Sequence, residues 1–376
     1  MTETWWVDPS QLDQDQRKVT QAPPERDLLI VGPPGSGKTN ILMLRANYVR
    51  SLGPRVLFLT FTRTLSEFLK SSPNIGRGDQ IKSDEIQTFM GWAKRFLSER
   101  GATLPDDLDD FEESRRAYIA AVEAVIDGQR IGRPYDAIII DEVQDFRADE
   151  LGLLRRLTEH MNAAGDARQS IFNHSEGLRT MEAIASETVR LSRHYRIGRN
   201  ICDYADRILP PAQGDQPMIQ GSNYDEAARQ SSVETIACAD LDEQYRRCID
   251  NLRTQLRYIN DEPIMVMART RGVRDEFWTA LQAEADLAAR AMRQHQDAYQ
   301  PFGPDSMIRV MTIASAKGSE ARAVHILDAE SLRNKRELAF TAATRAKTEV
   351  KLYHSTSLPG HMEVPANRLP SIEALF

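Results

Sequence analysis

The sequence predicts an α/β protein built on two tandem, mainly parallel sheets. Three observations carry this. Short apolar runs alternate with helix-period segments along the whole chain, as strands do when helices cross over between parallel neighbours. There are eight such runs, more than one small sheet needs. The length of 376 residues suits one large or two medium domains.

In chain order the predicted strands are "DLLIV" at Asp27–Val31, "RVLFLT" at Arg55–Thr60, "DAIII" at Asp136–Ile140 and "TVRLS" at Thr188–Ser192. They continue with "PIMVMA" at Pro263–Ala268, "IRVMTI" at Ile308–Ile313, "AVHILD" at Ala323–Asp328 and "EVKLYH" at Glu349–His354. The stretch Ala93–Pro134 is charged with a helical pattern, and Pro210–Ser232, rich in Pro, Gly, Gln and Ser, reads as a surface loop. A boundary between Thr188 and Tyr195 divides the chain into domains 1–190 and 191–376, the first with a small helical insertion at about 93–134.

Composition bounds the function. Hydrophobic residues make up 41% and charged residues 27%, ordinary for a globular domain. No run of about 18 apolar residues is present, so no membrane span is predicted. Cys202, Cys238 and Cys248 are scattered without a CxxC pair, which argues against a zinc site and fits a reducing cytoplasm. The net charge of −7 excludes a broadly basic coat but leaves room for a local basic groove.

The densest chemical signal is "GPPGSGKT", Gly32–Thr39, placed between a predicted strand and a predicted helix. It fits G-x-x-x-x-G-K-[ST] in full. Gly32, Gly35 and Gly37, with Pro33, Pro34 and Ser36 between them in the loop, let main-chain N–H groups turn around phosphate oxygens, and the helix start adds positive potential. Lys38 is placed to reach the β- and γ-phosphates, and the Thr39 hydroxyl to bind magnesium; Asn40 follows at the same site. ATP and Mg2+ are therefore the expected cofactors. The strand "DAIII" then delivers two carboxylates. Asp141 is the expected magnesium partner and Glu142 the base that polarises the attacking water.

"DEVQD", Asp141–Asp145, together with several other segments, resembles the superfamily 1 helicases of the UvrD/Rep type. "LDQDQ" at Leu12–Gln16 is similar to the adenine-reading segment, with Gln16 as its glutamine. "LTFTRTL" at Leu59–Leu65 and "QTFMGWA" at Gln87–Ala93 resemble single-strand-contacting motifs; Phe61, Thr62, Arg63, Thr88 and Phe89 carry that resemblance. "GDARQSIF" at Gly165–Phe172 resembles the motif whose glutamine, here Gln169, senses the γ-phosphate, with Phe172 and His174 on the strand side. "HYRIGRN" from His194 supplies Tyr195 and Arg196. "TIASAKGSE" at Thr312–Glu320 resembles a motif joining nucleotide contacts, Gly318 and Glu320, to strand contacts, Thr312, Ser315 and Lys317. "TAATRAK" at Thr341–Lys347 supplies Arg345.

The resemblance implies two tandem RecA-like (P-loop) domains with an ATP cleft between them. Lys38, Asp141, Glu142 and Gln169 would act from the first domain, Arg196 and Arg345 from the second. It further implies a single-stranded nucleic-acid partner, taken as DNA by family habit although no feature here distinguishes DNA from RNA, and 3′-to-5′ movement. Aromatic stacking suits such a partner because it accepts any base.

The chain departs from the family in places. Lys38 and Asp141 are 103 positions apart, and only Ala283–Ser306 separates "EPIMVMARTRGVRDEFWTALQ" from the next strand. Both accessory insertions are therefore reduced or absent. His174 stands where a second aromatic is usual, Arg168 where an acid is usual, and Ser319 and Ala321 where Leu and Phe are usual. A translocase with weak unwinding is the leading expectation. A nucleic-acid-stimulated ATPase subunit working with a nuclease or other protein partner, as in anti-phage systems such as Gabija or in DNA repair, is a second. A nucleotide-gated binding switch is a third. Trp5 and Trp6 match no motif and are expected to pack on the first domain.

Overall fold

The computed structural model describes residues 9–53, 55–70, 75, 78, 80–106, 108, 110–171, 176–294 and 306–364. The chain divides into two compact units, Met1–Ser192 and Arg193–Phe376.

The first unit is built on six parallel strands: β1 (Leu28–Val31), β2 (Val56–Thr60), β3 (Ile86–Thr88), β4 (Ala137–Ile140), β5 (Met161–Gly165) and β6 (Glu187–Arg190). Their order across the sheet is β3-β2-β4-β5-β1-β6. The apolar runs that announced β1, β2 and β4 are fully buried, because helices cover both faces. Alternate side chains go to opposite faces, as the strand period requires. Leu29, Leu57, Ile138 and Ile140 point into one core. Ile30, Phe58, Ile139 and Ala164 point into the other.

The predicted insertion does not stand apart from this unit. Its helix Phe111–Gln129 buries Tyr118, Ile119, Val122 and Ile126 in the same core as Trp92 and Phe96 of the helix Phe89–Ser98.

The second unit repeats the architecture with β7 (Ser232–Ala237), β8 (Ile264–Ala268), β9 (Ala291–Arg293), β10 (Ile308–Thr312), β11 (Ala321–Leu327) and β12 (Ala346–His354). The order is β7-β12-β11-β8-β10-β9, again parallel throughout. Met265, Met267, Val324 and Leu352 face one core; Ile264, Val266, Val310 and Tyr353 face the other. The two sheets are tandem RecA-like domains.

Four strands escaped the sequence reading for physical reasons. In β5 the polar Asn162 breaks the apolar run, yet it is buried because Arg45 Nε donates to its Oδ1 at 3.1 Å. β3, β7 and β9 are edge strands, and edges carry less apolar sequence.

Pro210–Ser232 is more than a surface loop. It contains the short helix Met218–Gly221, whose Met218 is buried, and it pairs with the segment carrying Arg196: His194 N–H donates to Gly221 O at 3.0 Å, and Asn223 N–H to His194 O at 2.9 Å. Trp5, Trp6, Phe172 and His174 lie outside the described residues.

Candidate functional site

The order of the first sheet explains the site. All strands are parallel, so the loops after β1, β4 and β5 emerge at one edge, where α/β proteins bind phosphates. Register places Val31 beside Gly165, and Ile140 beside Ala163. The loop Gly32–Thr39, the turn Asp141–Asp145 and the segment Asp166–Gln169 are thus neighbours.

The loop after β1 is shaped by its glycines. Gly37 has φ +83°, a left-handed conformation that costs a side-chain-bearing residue about 1–2 kcal/mol. A Cβ there would also approach Gln16 Nε2 to 3.2 Å. Gln16 is held from both sides. Its Oε1 accepts from Asp13 N–H, its own N–H donates to Asp13, and its Nε2 donates to Ser36 O at 3.1 Å. The glutamine assigned to adenine is thereby anchored to the phosphate loop. The Lys38 ammonium donates to the carbonyls of Gly32 and Pro33 at 2.8 and 3.0 Å, which keeps the cation over that loop. Asn40, in the first turn of the helix Lys38–Leu52, is buried.

Asp141 is 1% exposed. Burial first, and the neighbouring Glu142 charge second, push its pKa up to about 7, against the Thr39 hydroxyl and the Lys38 charge. Its Oδ1 accepts from Glu142 N–H at 3.0 Å, while Oδ2 is a buried oxygen with no hydrogen-bond donor. A carboxylate oxygen short of positive charge beside a threonine hydroxyl fits a magnesium ion, an oxygen-seeking cation that uses one or two protein groups and completes its shell with phosphates and water. Among the described residues no group of three or more His, Cys, Asp or Glu is arranged to hold a metal by itself.

Glu142 has φ +56°, outside the ordinary range for a residue with a Cβ. The turn holds it by bonds. Gln144 Nε2 donates to Glu142 Oε2 at 2.5 Å, and Gln144 Oε1 accepts from Asp166 N–H at 3.1 Å. Asp166 Oδ2 then accepts from Gln169 Nε2 at 2.9 Å. The candidate base and the candidate γ-phosphate sensor are therefore ends of one chain, Glu142–Gln144–Asp166–Gln169. Gly165 makes room for it, since a Cβ there would come within 2.8 Å of Gln144 Oε1. Gln144 and Asp166 received no role from the sequence. The signal was present in "DEVQD" and "GDARQ", but only the sheet order shows that the two segments touch.

In the second unit three predicted residues converge at the start of β11 and β12. Arg196 forms an ion pair with Glu320 at 2.8 Å. Arg345 Nε donates to Thr341 O at 3.2 Å and Nη1 to Ser319 O at 3.4 Å. Ala321 N–H donates to Arg345 O at 3.0 Å, and Gly198 N–H to Lys347 O at 2.8 Å. Gly318 turns with φ +78°, and Tyr195 is exposed.

The predicted strand contacts divide. Thr60 pairs with Thr88 across β2 and β3, so Phe61–Arg63 and Thr88 share an edge. Thr62 and Thr88 are helix caps: their hydroxyls accept from Leu65 N–H at 3.2 Å and Gly91 N–H at 3.1 Å. Arg63 is exposed, and Phe61 is half-buried. Thr312 and Ser315 bond each other through their hydroxyls at 2.9 Å. Phe89 is buried against Trp92 and Phe146, and Lys317 is wholly buried.

The fold and the loop after β1 define a P-loop protein with two RecA-like domains. Residues 15–174 match a family described as AAA domain, and residues 307–353 match the UvrD-like helicase C-terminal domain. With the motifs in the same order, these matches agree with the resemblance to UvrD/Rep-type helicases read from the sequence. Among solved structures the chain is similar to the PRRSV helicase, at 16% identity and a TM-score of 0.44, over 91% of this chain and 57% of that one. It is also similar to the C-terminal domain of a possible DNA helicase from Lactobacillus plantarum WCFS1, at 19% identity and a TM-score of 0.33, over 45% of this chain and 91% of that one. The chain thus spans little more than half the length of the viral helicase. No curated protein matches. Among the described residues no helix is long and apolar enough to cross a membrane.

Proposed function

We propose that this chain is an ATP-dependent translocase on single-stranded nucleic acid, with DNA as its strand and movement from 3′ to 5′. One observation carries the reading: the bonded chain from Glu142 through Gln144 and Asp166 to Gln169, set beside the Lys38 loop. It joins the group that orients water to the group that senses the γ-phosphate.

In this reading the phosphates lie on the main chain of Gly32–Gly37 and on Lys38. Magnesium, held by Thr39 and Asp141, supplies charge neutralisation on the phosphate oxygens. Glu142 orients the water and takes its proton. Gln16 reads the base, while Arg196 and Arg345 stabilise charge that develops at the γ-phosphate. Phe61, Thr62, Arg63, Thr88, Thr312 and Ser315 contact the strand.

The reduced insertions support a second element: duplex separation is weak unless a partner protein supplies a grip on the fork. Only Ala283–Ser306 stands where the family's larger insertion would be. The deciding experiment measures nucleotide hydrolysis by the purified chain with and without single-stranded DNA or RNA, with Lys38→Ala as control. Stimulated hydrolysis that Lys38→Ala removes supports the reading. Hydrolysis indifferent to every strand contradicts it and leaves an enzyme or switch of another kind.

A further inference from the structure

Arg115 belongs to the helix Phe111–Gln129, which contains no motif residue. It is 2% exposed, and each of its three nitrogens donates to a group of the protein, so its charge is not spent on solvent. Its Nε and Nη2 donate to the two carboxylate oxygens of Glu150 at 2.8 and 2.5 Å. Nη2 also donates to the main-chain oxygen of Asp145 at 3.1 Å, and Nη1 to Glu112 at 3.0 Å. Glu150 is itself fully buried and accepts from Arg147 N–H at 3.0 Å.

The guanidinium has aromatic neighbours as well. It lies 5.2 Å from the centre of the Phe61 ring and 5.6 Å from that of Phe111. Phe61 meets Phe111 and Phe146 edge-on, at 6.3 and 6.4 Å. On its other side, Asp145 N–H donates to Glu142 O at 3.0 Å. One buried cation therefore joins the aromatic that opens a strand-contact segment to the turn that carries the candidate base.

A buried ion pair is a weak way to hold a helix on a core, since an apolar pair of similar volume does this as well. What a two-pronged guanidinium–carboxylate pair adds is fixed direction. We propose that Arg115 is a positioning residue that transmits strand contact at Phe61 to the Glu142 turn, so that nucleic-acid stimulation of hydrolysis passes through it. A base pressed on Phe61 moves its ring, the guanidinium follows the ring, and the bond to Asp145 O carries the displacement to the backbone of the Asp141–Asp145 turn. The inference rests on the proposed function above.

The test compares wild type, Arg115→Lys, and the paired change Arg115→Met with Glu150→Met, which leaves no buried charge alone. Three quantities are read: hydrolysis without strand, hydrolysis with saturating oligothymidylate, and the half-saturating strand concentration. For the paired variant the expected result is unstimulated hydrolysis within about twofold of wild type, stimulation reduced about tenfold, and half-saturation little changed. Arg115→Lys, which keeps the charge but loses the fork, falls between. Proportional loss of basal and stimulated rates in both variants shows a merely structural residue and overturns the inference. Stimulation equal to wild type in both variants also overturns it. A wild-type chain that no strand stimulates overturns both the inference and the reading on which it rests.

Discussion

Gln144→Met removes two bonds while nearly conserving volume. Gln144 is 1% exposed, with Nε2 on Glu142 and Oε1 on Asp166 N–H. The first bond is to a carboxylate, and such bonds contribute about 1.5–3 kcal/mol. If that bond serves to hold Glu142 at the water during reaction, its loss lowers turnover about 10- to 150-fold, at one decade per 1.36 kcal/mol. The second loss leaves the buried Asp166 N–H without an acceptor, a cost of about 1–3 kcal/mol to stability. For a unit of this size each kcal/mol shifts the melting point by about 2–4 °C. The phosphate loop is untouched, so nucleotide affinity stays near the native value. Steady-state phosphate release gives kcat, a fluorescent nucleotide gives affinity, and thermal unfolding gives the stability change. Native kcat in a folded Gln144→Met chain would show that Glu142 is held by something other than this bond.

Three further outcomes are expected. Glu142→Gln abolishes hydrolysis but retains nucleotide binding, and Lys38→Ala abolishes hydrolysis too; native turnover in Glu142→Gln would remove the base assignment. Arg196→Ala and Arg345→Ala each lower kcat strongly with nucleotide affinity nearly unchanged, because charge at the γ-phosphate grows in the transition state; weakened binding at native kcat would contradict this. His325 is wholly buried, and burial pushes its pKa down to about 3, with the ring held neutral between Tyr353 and Gln255. An unfolded histidine titrates near 6.5, so the unfolded chain binds the proton first. The stability contribution is complete above that pH and drains away as pH falls toward 3, about 2 kcal/mol by pH 5. Denaturant unfolding of wild type and His325→Gln at pH 7 and pH 5 checks it; an unchanged pH slope in the variant refutes it.

What was legible in the sequence depended on where a residue spends its side chain. The strands that fill both cores, such as Leu28–Val31 and Ala137–Ile140, are apolar throughout and announce themselves. Met161–Gly165 did not, because Asn162 is made tolerable by Arg45, 117 positions away, and no local pattern records that partner. The phosphate loop was legible because its backbone demands glycine and its chemistry demands lysine. The bonds joining Glu142 to Gln169 were not, since they depend on two loops meeting at one sheet edge. Phe89 and Lys317 stand in segments that resemble strand contacts and are buried, which no local pattern records.

The measurement closest to the central claim is the rate of nucleotide hydrolysis on single strands of increasing length at saturating strand ends. A protein that steps along its strand takes more cycles before leaving a longer one. The account predicts a rate that rises with length and then levels, and a Glu142→Gln chain that binds the same strands without turnover. A rate that is stimulated but independent of length would contradict translocation and leave a nucleotide-gated binding switch in its place.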